Sequence, residues 1–253
     1  YPYFVGSNVF VPALLCGNAV LYKASEYTSL TGKKIAEMWE HAGLPKALFQ
    51  SVSGTGEQAQ QLLSQNIDGV FFTGSVATGK KIVEQVSSRL IPVGLELGGK
   101  DAAYVCEDTD IATTAQNLCD GSFYNAGQSC CGVERIYVHE KIYDAFVRSF
   151  VKATQQITVG DPMLSTTQLG PLARPQQISF LEQQIIDAQS KGAKLVVEGG
   201  KSSQAGWYFK PCVLIDVDHT MELMREESFG PIIGIQKVAN DRQALELVQD
   251  SHY

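Results

Sequence analysis

The sequence predicts an α/β fold in which a parallel sheet is covered by helices on both faces. Short apolar runs typical of strands alternate with segments whose apolar residues recur every three or four positions, as in βαβ units. Gly-containing turns follow several predicted strands, at the sheet edge where open α/β folds bind their ligands. The chain has 253 residues, of which 44% are hydrophobic and 19% charged, so it can bury a large core.

The alternation continues along the whole chain and predicts two α/β lobes with a hinge at Gly98-Gly99. We therefore predict two domains, 1–98 and 99–253. Asp108 or Asp110 is expected to cap the helix that ends at 123. The predicted strands are 19–22, 48–52, 70–72, 91–95, 102–105, 136–138, 195–197 and 231–235, and the predicted helices are 28–42, 57–64, 77–86, the one ending at 123, 142–156, 176–190 and 240–250.

Charge and cysteine content exclude several classes of function. The net charge is −7 and the isoelectric point about 5.1, so no basic excess is available for nucleic acid or an anionic membrane. No C-x-x-C pair occurs among the six cysteines, which argues against structural zinc and a disulfide framework and favours a reduced, cytoplasmic setting. We expect no metal site.

The first 22 residues are largely apolar, and we expect them to form a buried segment. Ser7-Asn8 and Gly17-Asn18 interrupt the run, so it is too short for a membrane span. No basic region precedes it, as a signal peptide would require. We expect this segment to have been cut from the interior of a longer chain.

Two glycine motifs could each hold a nucleotide. Residues 54–59 match G-x-G-x-x-A between a predicted strand and helix, which is either a dinucleotide fingerprint or a tight turn. Residues 74–80 match G-x-x-x-x-G-K, but Lys81 follows where a P-loop needs Ser or Thr for magnesium. A P-loop-like nucleotide-binding protein is therefore an alternative. The start of the following helix, with the Ser75 hydroxyl, could still hold a phosphate.

Several charged or nucleophilic residues have a functional and a structural interpretation. Lys23 and Glu26 follow a strand and could hold ribose hydroxyls, or form a solvated ion pair. Glu96 has apolar neighbours, so we expect burial to raise its pKa toward that of a general base, unless it pairs with Lys100. Glu227 precedes a strand. Considered without the rest of the sequence, it could be a surface charge at the end of a helix.

Cys130 and Cys131 lie in a polar, glycine-containing loop between a predicted helix and strand, where a thiol can be exposed and nucleophilic. None of the four histidines has a recognisable catalytic context, which argues against a Cys-His hydrolase. The remaining cysteines have apolar neighbours, and we expect them to be buried and inert: Cys16, Cys106, Cys119 and Cys212.

Taken together, five blocks of this sequence resemble the NAD(P)-dependent aldehyde dehydrogenase superfamily. They occur in the family's order across nearly the whole chain. The separation of 34 positions from Glu96 to Cys130 and that of 97 positions from Cys130 to Glu227 also fit. The blocks are Leu21-Tyr22-Lys23-Ala24-Ser25-Glu26, Phe72-Thr73-Gly74-Ser75-Val76-Ala77-Thr78-Gly79, Glu96-Leu97-Gly98-Gly99-Lys100, Gly127-Gln128-Ser129-Cys130 and Glu226-Glu227-Ser228-Phe229-Gly230-Pro231.

The resemblance implies a Rossmann-like cofactor domain, present in part, followed by a catalytic α/β domain. It implies oxidation of a small aldehyde through a thiohemiacetal and a thioester on Cys130, with Glu96 activating the hydrolytic water. The cofactor would be NAD, since the Glu26 carboxylate would repel the 2′-phosphate of NADP. A homodimer or homotetramer is expected. The implied cofactor contacts are Lys23, Glu26, Gly56, Ser75, Glu227 and Phe229.

The sequence also departs from the family. The oxyanion-hole Asn of the family's W-N-[FY]-P motif would fall just before Tyr1, so both ends of the protein are expected to be missing. We expect the fragment to be inactive by itself. A CoA-acylating relative and a non-enzymatic scaffold of the same fold remain alternatives, and the retained Glu96 favours hydrolysis over acyl transfer to CoA.

Overall fold

The computed structural model describes residues 1–253, and these form two compact units. The first unit is Tyr1–Leu97 and the second unit is Gly98–Tyr253. Each predicted strand and helix is present near its predicted position. No helix in the chain is both long enough and apolar enough to pass through a membrane.

The first unit contains four α-helices and four short strands. Phe10, Ile35 and Phe49 form its buried core, and the rings of Phe10 and Phe49 meet edge to face with centroids 5.3 Å apart. The elements are α1 (Phe4–Leu15), β1 (Val20–Lys23), α2 (Ser29–His41), β2 (Phe49–Val52), α3 (Gly56–Leu63), β3 (Val70–Gly74), α4 (Val76–Val86) and β4 (Val93–Leu97).

The strands of the first unit form two separate sheets, where one sheet was predicted. β1 pairs in parallel with β2, and β3 pairs in parallel with β4. The parallel direction agrees with the βαβ interpretation. Apolar periodicity identifies a strand but carries no information about its neighbour, so the division could not be predicted.

The expectation of a buried segment at the start of the chain was wrong. Residues 4–15 form helix α1, in which Phe10 is the one buried residue, while Phe4 and Leu15 are 65% and 82% exposed. The apolar residues of this helix are spread around its whole circumference, and only part of them is covered in the first unit.

The second unit is a five-stranded sheet with helices on both faces. Its elements are β5 (Ala102–Val105), α5 (Ile111–Phe123), β6 (Arg135–His139), α6 (Tyr143–Gln155), α7 (Gln176–Ser190), β7 (Lys194–Val197), β8 (Gly200–Lys201), β9 (Phe209–Lys210), β10 (Cys212–Ile215), α8 (Glu222–Arg225), β11 (Ile232–Val238) and α9 (Asp241–Gln249). The strand order of the sheet is β5-β6-β11-β10-β7.

Two apolar clusters cover the two faces of this sheet. Residues of α5 and α6, such as Phe123 and Phe146, pack on one face, while residues of α7 and α8, such as Leu181 and Leu223, pack on the other. Of the two candidate caps for α5, the structure selects Asp110, whose carboxylate accepts a hydrogen bond of 2.8 Å from the Thr113 N–H. The α/β fold with helices on both faces is confirmed here.

One edge of the sheet differs from the parallel prediction. β7 runs antiparallel to β10, with a shift of register between Val213 and Leu214. The chain passes between these strands through the short antiparallel pair β8–β9 instead of a helix, so β10 returns in the opposite direction. β8, β9, β10 and α8 were not predicted.

Candidate active site

Cys130 lies in a sharp turn of the second unit between α5 and β6. After α5, Asn125, Ala126 and Gly127 adopt left-handed backbone conformations with φ of 52°, 57° and 69°. A Cβ atom at position 127 would collide with the carbonyl of Gly230, so glycine is required there. The loop then presents Cys130 as an exposed side chain.

Hydrogen bonds hold this loop in one shape. The side-chain amides of Asn125 and Gln128 each donate to the other residue's carbonyl, both at 3.0 Å. The Ala173 N–H donates to Gln128 Oε1 at 2.8 Å and ties the loop to the segment before α7. Cys131 is also exposed, and its sulfur lies 3.3 Å from Ser129 Oγ.

The expectation that four other cysteines are buried was right for two of them. Cys119 and Cys212 are buried, and burial raises the pKa of both thiols, that of Cys212 to about 12. Cys16 and Cys106 are exposed. Both follow the end of an apolar element, α1 and β5 respectively, so their apolar neighbours did not indicate their own burial.

Glu227 is half-buried in the second unit, and is not a simple surface charge. Its Oε1 accepts a hydrogen bond of 3.2 Å from the Gly99 N–H, and its own N–H donates to Tyr253 Oη at 3.2 Å. A Cβ atom on Gly98 would overlap the carboxylate, which therefore lies directly against this glycine pair. Burial, and next the Glu134 carboxylate, raise the pKa of Glu227.

The same glycine pair approaches the Cys130 turn. A Cβ atom on Gly99 would lie 4.0 Å from the Cys130 carbonyl oxygen. Within the second unit, therefore, the Cys130 turn and Glu227 both lie against Gly98-Gly99.

Lys100 and Glu134 form a buried ion pair behind Glu227. Lys100 Nζ lies 2.7 Å from Glu134 Oε2 and donates to Ser228 Oγ at 3.0 Å. Burial lowers the pKa of Lys100, and the Glu134 carboxylate opposes that shift. Lys100 thus has Glu134 as its partner, whereas the sequence suggested Glu96.

The first unit holds Lys23 and Glu26 as an ion pair at the end of β1. Lys23 Nζ lies 3.2 Å from Glu26 Oε2. The pKa of Glu26 is lowered, first by a hydrogen bond from its own backbone N–H and then by Lys23. Glu26 is exposed, so the pair offers an ionised carboxylate and an ammonium group beside a strand end.

Ser75 and Gly56 lie at the N-termini of two helices of the first unit. Ser75 caps α4, since its hydroxyl accepts the Thr78 N–H at 3.3 Å and donates to Thr78 Oγ1 at 3.0 Å. Gly56 is the first residue of α3, and a Cβ atom there would meet nothing within 4 Å. Both helix ends carry unsatisfied N–H groups that suit an anion.

The expectation that burial encloses Glu96 was wrong, because Glu96 is exposed. It lies on β4 opposite Thr73, and α4 packs against its neighbour Leu97. Alternation along the strand directs Glu96 to the opposite face from Leu97, and its side chain is exposed there. The apolar residues on either side of Glu96 were therefore a poor guide to its own environment.

The first unit contains donor groups of the kinds that could bind the parts of a dinucleotide. An ammonium–carboxylate pair suits ribose hydroxyls, and two helix N-termini with a serine hydroxyl suit a pyrophosphate. No group of three or more His, Cys, Asp and Glu side chains is placed to hold a metal ion.

The sequence interpretation missed Glu134. Its signal was weak but present, since Glu134-Arg135 interrupts an apolar run and charged residues at the start of a buried strand require partners. The left-handed Phe229, with φ of 46°, gave no signal in the sequence at all.

The chain belongs to the aldehyde dehydrogenase family, whose family model matches residues 1–253. It is 35% identical over 261 residues to 4-trimethylaminobutyraldehyde dehydrogenase of Homo sapiens, covering 100% of this chain and 53% of that protein. It is 34% identical over 258 residues to betaine aldehyde dehydrogenase of Brucella ovis, again with 100% and 53% covered. The chain thus spans about half the length of the curated relatives it matches.

Solved structures give the same result. A Mycobacterium tuberculosis aldehyde dehydrogenase complexed with NAD+ superposes with a TM-score of 0.96 at 34% identity, covering 100% of this chain and 53% of that one. An NADP dependent enzyme of E. coli superposes with a TM-score of 0.96 at 28% identity, covering 99% and 52%. The aldehyde dehydrogenase-like fold is therefore established, while the similar proteins include both cofactor types.

Proposed function

We propose that the whole protein oxidises an aldehyde to a carboxylic acid, with Cys130 as the nucleophile. The observation that carries this proposal is the grouping of the exposed Cys130 turn, Gly98-Gly99 and Glu227 in the second unit. The first unit would bind the cofactor and the second would carry the thiol, with the division at 98/99.

In the first step the Cys130 thiolate attacks the aldehyde carbon. A C–S bond forms, the carbonyl π-electrons move to oxygen, and a tetrahedral thiohemiacetal results. The Cys130 backbone N–H would donate to the developing oxyanion, which lowers the barrier because the donor is already in position. Loss of a hydride from the same carbon then leaves a thioester on Cys130.

The hydride acceptor would be a nicotinamide cofactor, which supplies two-electron redox chemistry when bound. Lys23 and Glu26 would hold its adenosine ribose. Ser75 would contact its pyrophosphate, and Gly56 would lie on its adenine side. Glu227 would hold the nicotinamide ribose, with Phe229 packed by the ring. The ionised Glu26 supports a preference for NAD over NADP, because it would repel a 2′-phosphate.

In the last step Glu96 would accept a proton from water as that water attacks the thioester. The C–S bond breaks, the acid leaves and the thiolate is restored. The presence of Glu96 supports water as the acyl acceptor in preference to CoA.

The proposal also covers the substrate, the oligomeric state and the cellular compartment. The aldehyde would be a small molecule, and the whole protein a homodimer or homotetramer in the cytoplasm. The 253 residues alone would be inactive, since they span about half the length of related enzymes.

A test is to follow NADH formation by the whole protein over aliphatic, aromatic and semialdehyde substrates, and to trap the acyl-enzyme. Glu96→Gln should accumulate a Cys130 thioester, visible as a mass increase of one acyl group, while hydride transfer proceeds. Glu84→Gln, an exposed glutamate of the same unit, is the matched control. Absence of NADH with every substrate, or oxidation that never passes through a Cys130 adduct, would refute the proposal.

A further inference from the structure

A single buried carboxylate, that of Glu134, accepts two backbone N–H groups of the turn that contains Glu227 and Phe229. Glu134 Oε2 accepts the Ser228 N–H at 2.9 Å, and Glu134 Oε1 accepts the Phe229 N–H at 3.0 Å. Lys100 Nζ donates to the same Oε2 at 2.7 Å. Both carboxylate oxygens are thus occupied by donors, two of which are backbone N–H groups of the turn.

Ser228 is fixed through every polar group it has. Its N–H donates to Glu134, its hydroxyl accepts from Lys100, and its carbonyl accepts from Gln177 Nε2 at 2.6 Å. Ser228 is completely buried. It stands between Glu227 and Phe229, so its position sets the directions in which both neighbours point.

This arrangement is costly for the fold. Phe229 has a left-handed φ of 46°, which is strained for a residue with a Cβ atom. The Lys100–Glu134 pair is almost fully removed from water, and a buried ion pair often stabilises a protein no more than apolar residues of similar volume would. Strain and buried charge at one turn are typical of a functional site.

We propose that Glu134, paired with Lys100, is a positioning residue that holds Glu227 and Phe229 in place for the nicotinamide half of the cofactor. The inference rests on the proposed function for the identity of that ligand. The adenosine half would be held by the first unit and would not depend on Glu134.

The first measurement needs no cofactor. Hydrogen exchange of the peptide containing Ser228 and Phe229 should be about tenfold faster in Glu134→Gln than in the parent protein, because one amide oxygen replaces two carboxylate oxygens. The control is Glu107→Gln, which breaks an exposed ion pair with Lys141 in the same unit and should leave that exchange unchanged. Equal exchange in Glu134→Gln and the parent would show that Glu134 does not hold the turn.

The second measurement compares dissociation constants of the whole protein for NAD and ADP by calorimetry. Glu134→Gln should weaken NAD about tenfold and leave ADP within about twofold. Glu227→Gln should weaken NAD similarly, and the double variant should be no weaker than Glu227→Gln alone, since Glu134 acts through that residue. Unchanged NAD binding, equal loss of NAD and ADP, or fully additive effects would overturn the inference.

Glu134→Gln leaves Lys100 buried without a counter-charge, which could prevent folding. The double variant Lys100→Met/Glu134→Gln removes both charges and should show the same selective loss of NAD and the same faster exchange. If the parent protein oxidises no aldehyde, the proposed function fails, while the exchange comparison still decides whether Glu134 holds the turn.

Discussion

Cys130 and Cys131 are adjacent, exposed thiols, and they form a matched pair for testing the nucleophile. Cys130→Ala in the whole protein should reduce aldehyde oxidation to background, because it removes the thiol that is proposed to form the thioester. Cys131→Ala should retain activity within about threefold, the range expected for a neighbouring surface change. Steady-state NADH formation measures both, and loss of activity in Cys131→Ala alone would reverse the assignment.

Glu26 allows the cofactor preference to be tested at one residue. Glu26→Gln should raise the ratio of kcat/KM for NADP to that for NAD about tenfold, because it removes repulsion between the carboxylate and the 2′-phosphate. Glu37→Gln, which breaks the 2.6 Å surface pair with Lys34 in the same unit, is the control. An unchanged ratio in Glu26→Gln would show that another residue determines the preference.

At the residue scale the sequence predicted which side chains matter better than it predicted their surroundings. The exposed loop position of Cys130 agrees with the structure, while the buried environment expected for Glu96 does not. Burial depends on which element covers a strand face, and that is determined by residues distant in the chain. Glu134 lay outside every motif because its partners, Lys100 and Ser228, are each far from it in sequence.

At the element scale, local signals located helices and strands well. The helix α7 spans Gln176–Ser190 as predicted, and α9 begins after Asn240, whose side chain accepts the Gln243 N–H at 3.0 Å. Strand direction and pairing were less accessible, as the antiparallel β7 illustrates. Pairing is a long-range property that apolar periodicity does not encode.

The end of α9 is tied to the segment around α8 through Asp250, and this contact should depend on pH. The pKa of Asp250 is lowered from 3.8 to about 2, chiefly by the hydrogen bond from Arg225 and next by that with His219. A carboxyl group with a lowered folded-state pKa stabilises the fold above its unfolded pKa, and that stabilisation is lost as pH falls through the folded value.

Asp250→Asn should therefore lower the Tm by roughly 2 °C at about pH 6. The difference from the parent should shrink as pH falls from about 4 to about 2 and vanish below that. Calorimetric scans across this range measure it, with the exposed Asp108→Asn as a control of equal charge change. A difference that persists below about pH 2 would contradict the electrostatic origin.

At the scale of the whole molecule, the two units differ in how much core they possess. The second unit has two large apolar clusters, whereas the first is built around Phe10, Ile35 and Phe49. Large apolar side chains of the first unit are exposed, among them Phe4, Leu15 and Phe71. An α/β fold could be predicted from the sequence, but the difference in core size between the two units could not. That difference depends on which elements cover each face of a sheet or helix.

We expect the 253-residue chain alone to form no NADH above the no-enzyme rate. We also expect it to elute partly as large species on size exclusion, because exposed apolar surface promotes association. The whole protein should be active and elute as a discrete species. Turnover by the isolated chain comparable with that of the whole protein would refute this expectation.

The two short sheets of the first unit have a further consequence. Each of their strands, β1 to β4, has a strand neighbour on one side only. Backbone N–H and C=O groups on the unpaired side of a strand are groups that another polypeptide can join by strand addition. Phe71, on β3, is 64% exposed and would add apolar contact to such a junction. Self-association of this chain will therefore depend on protein concentration as much as on temperature.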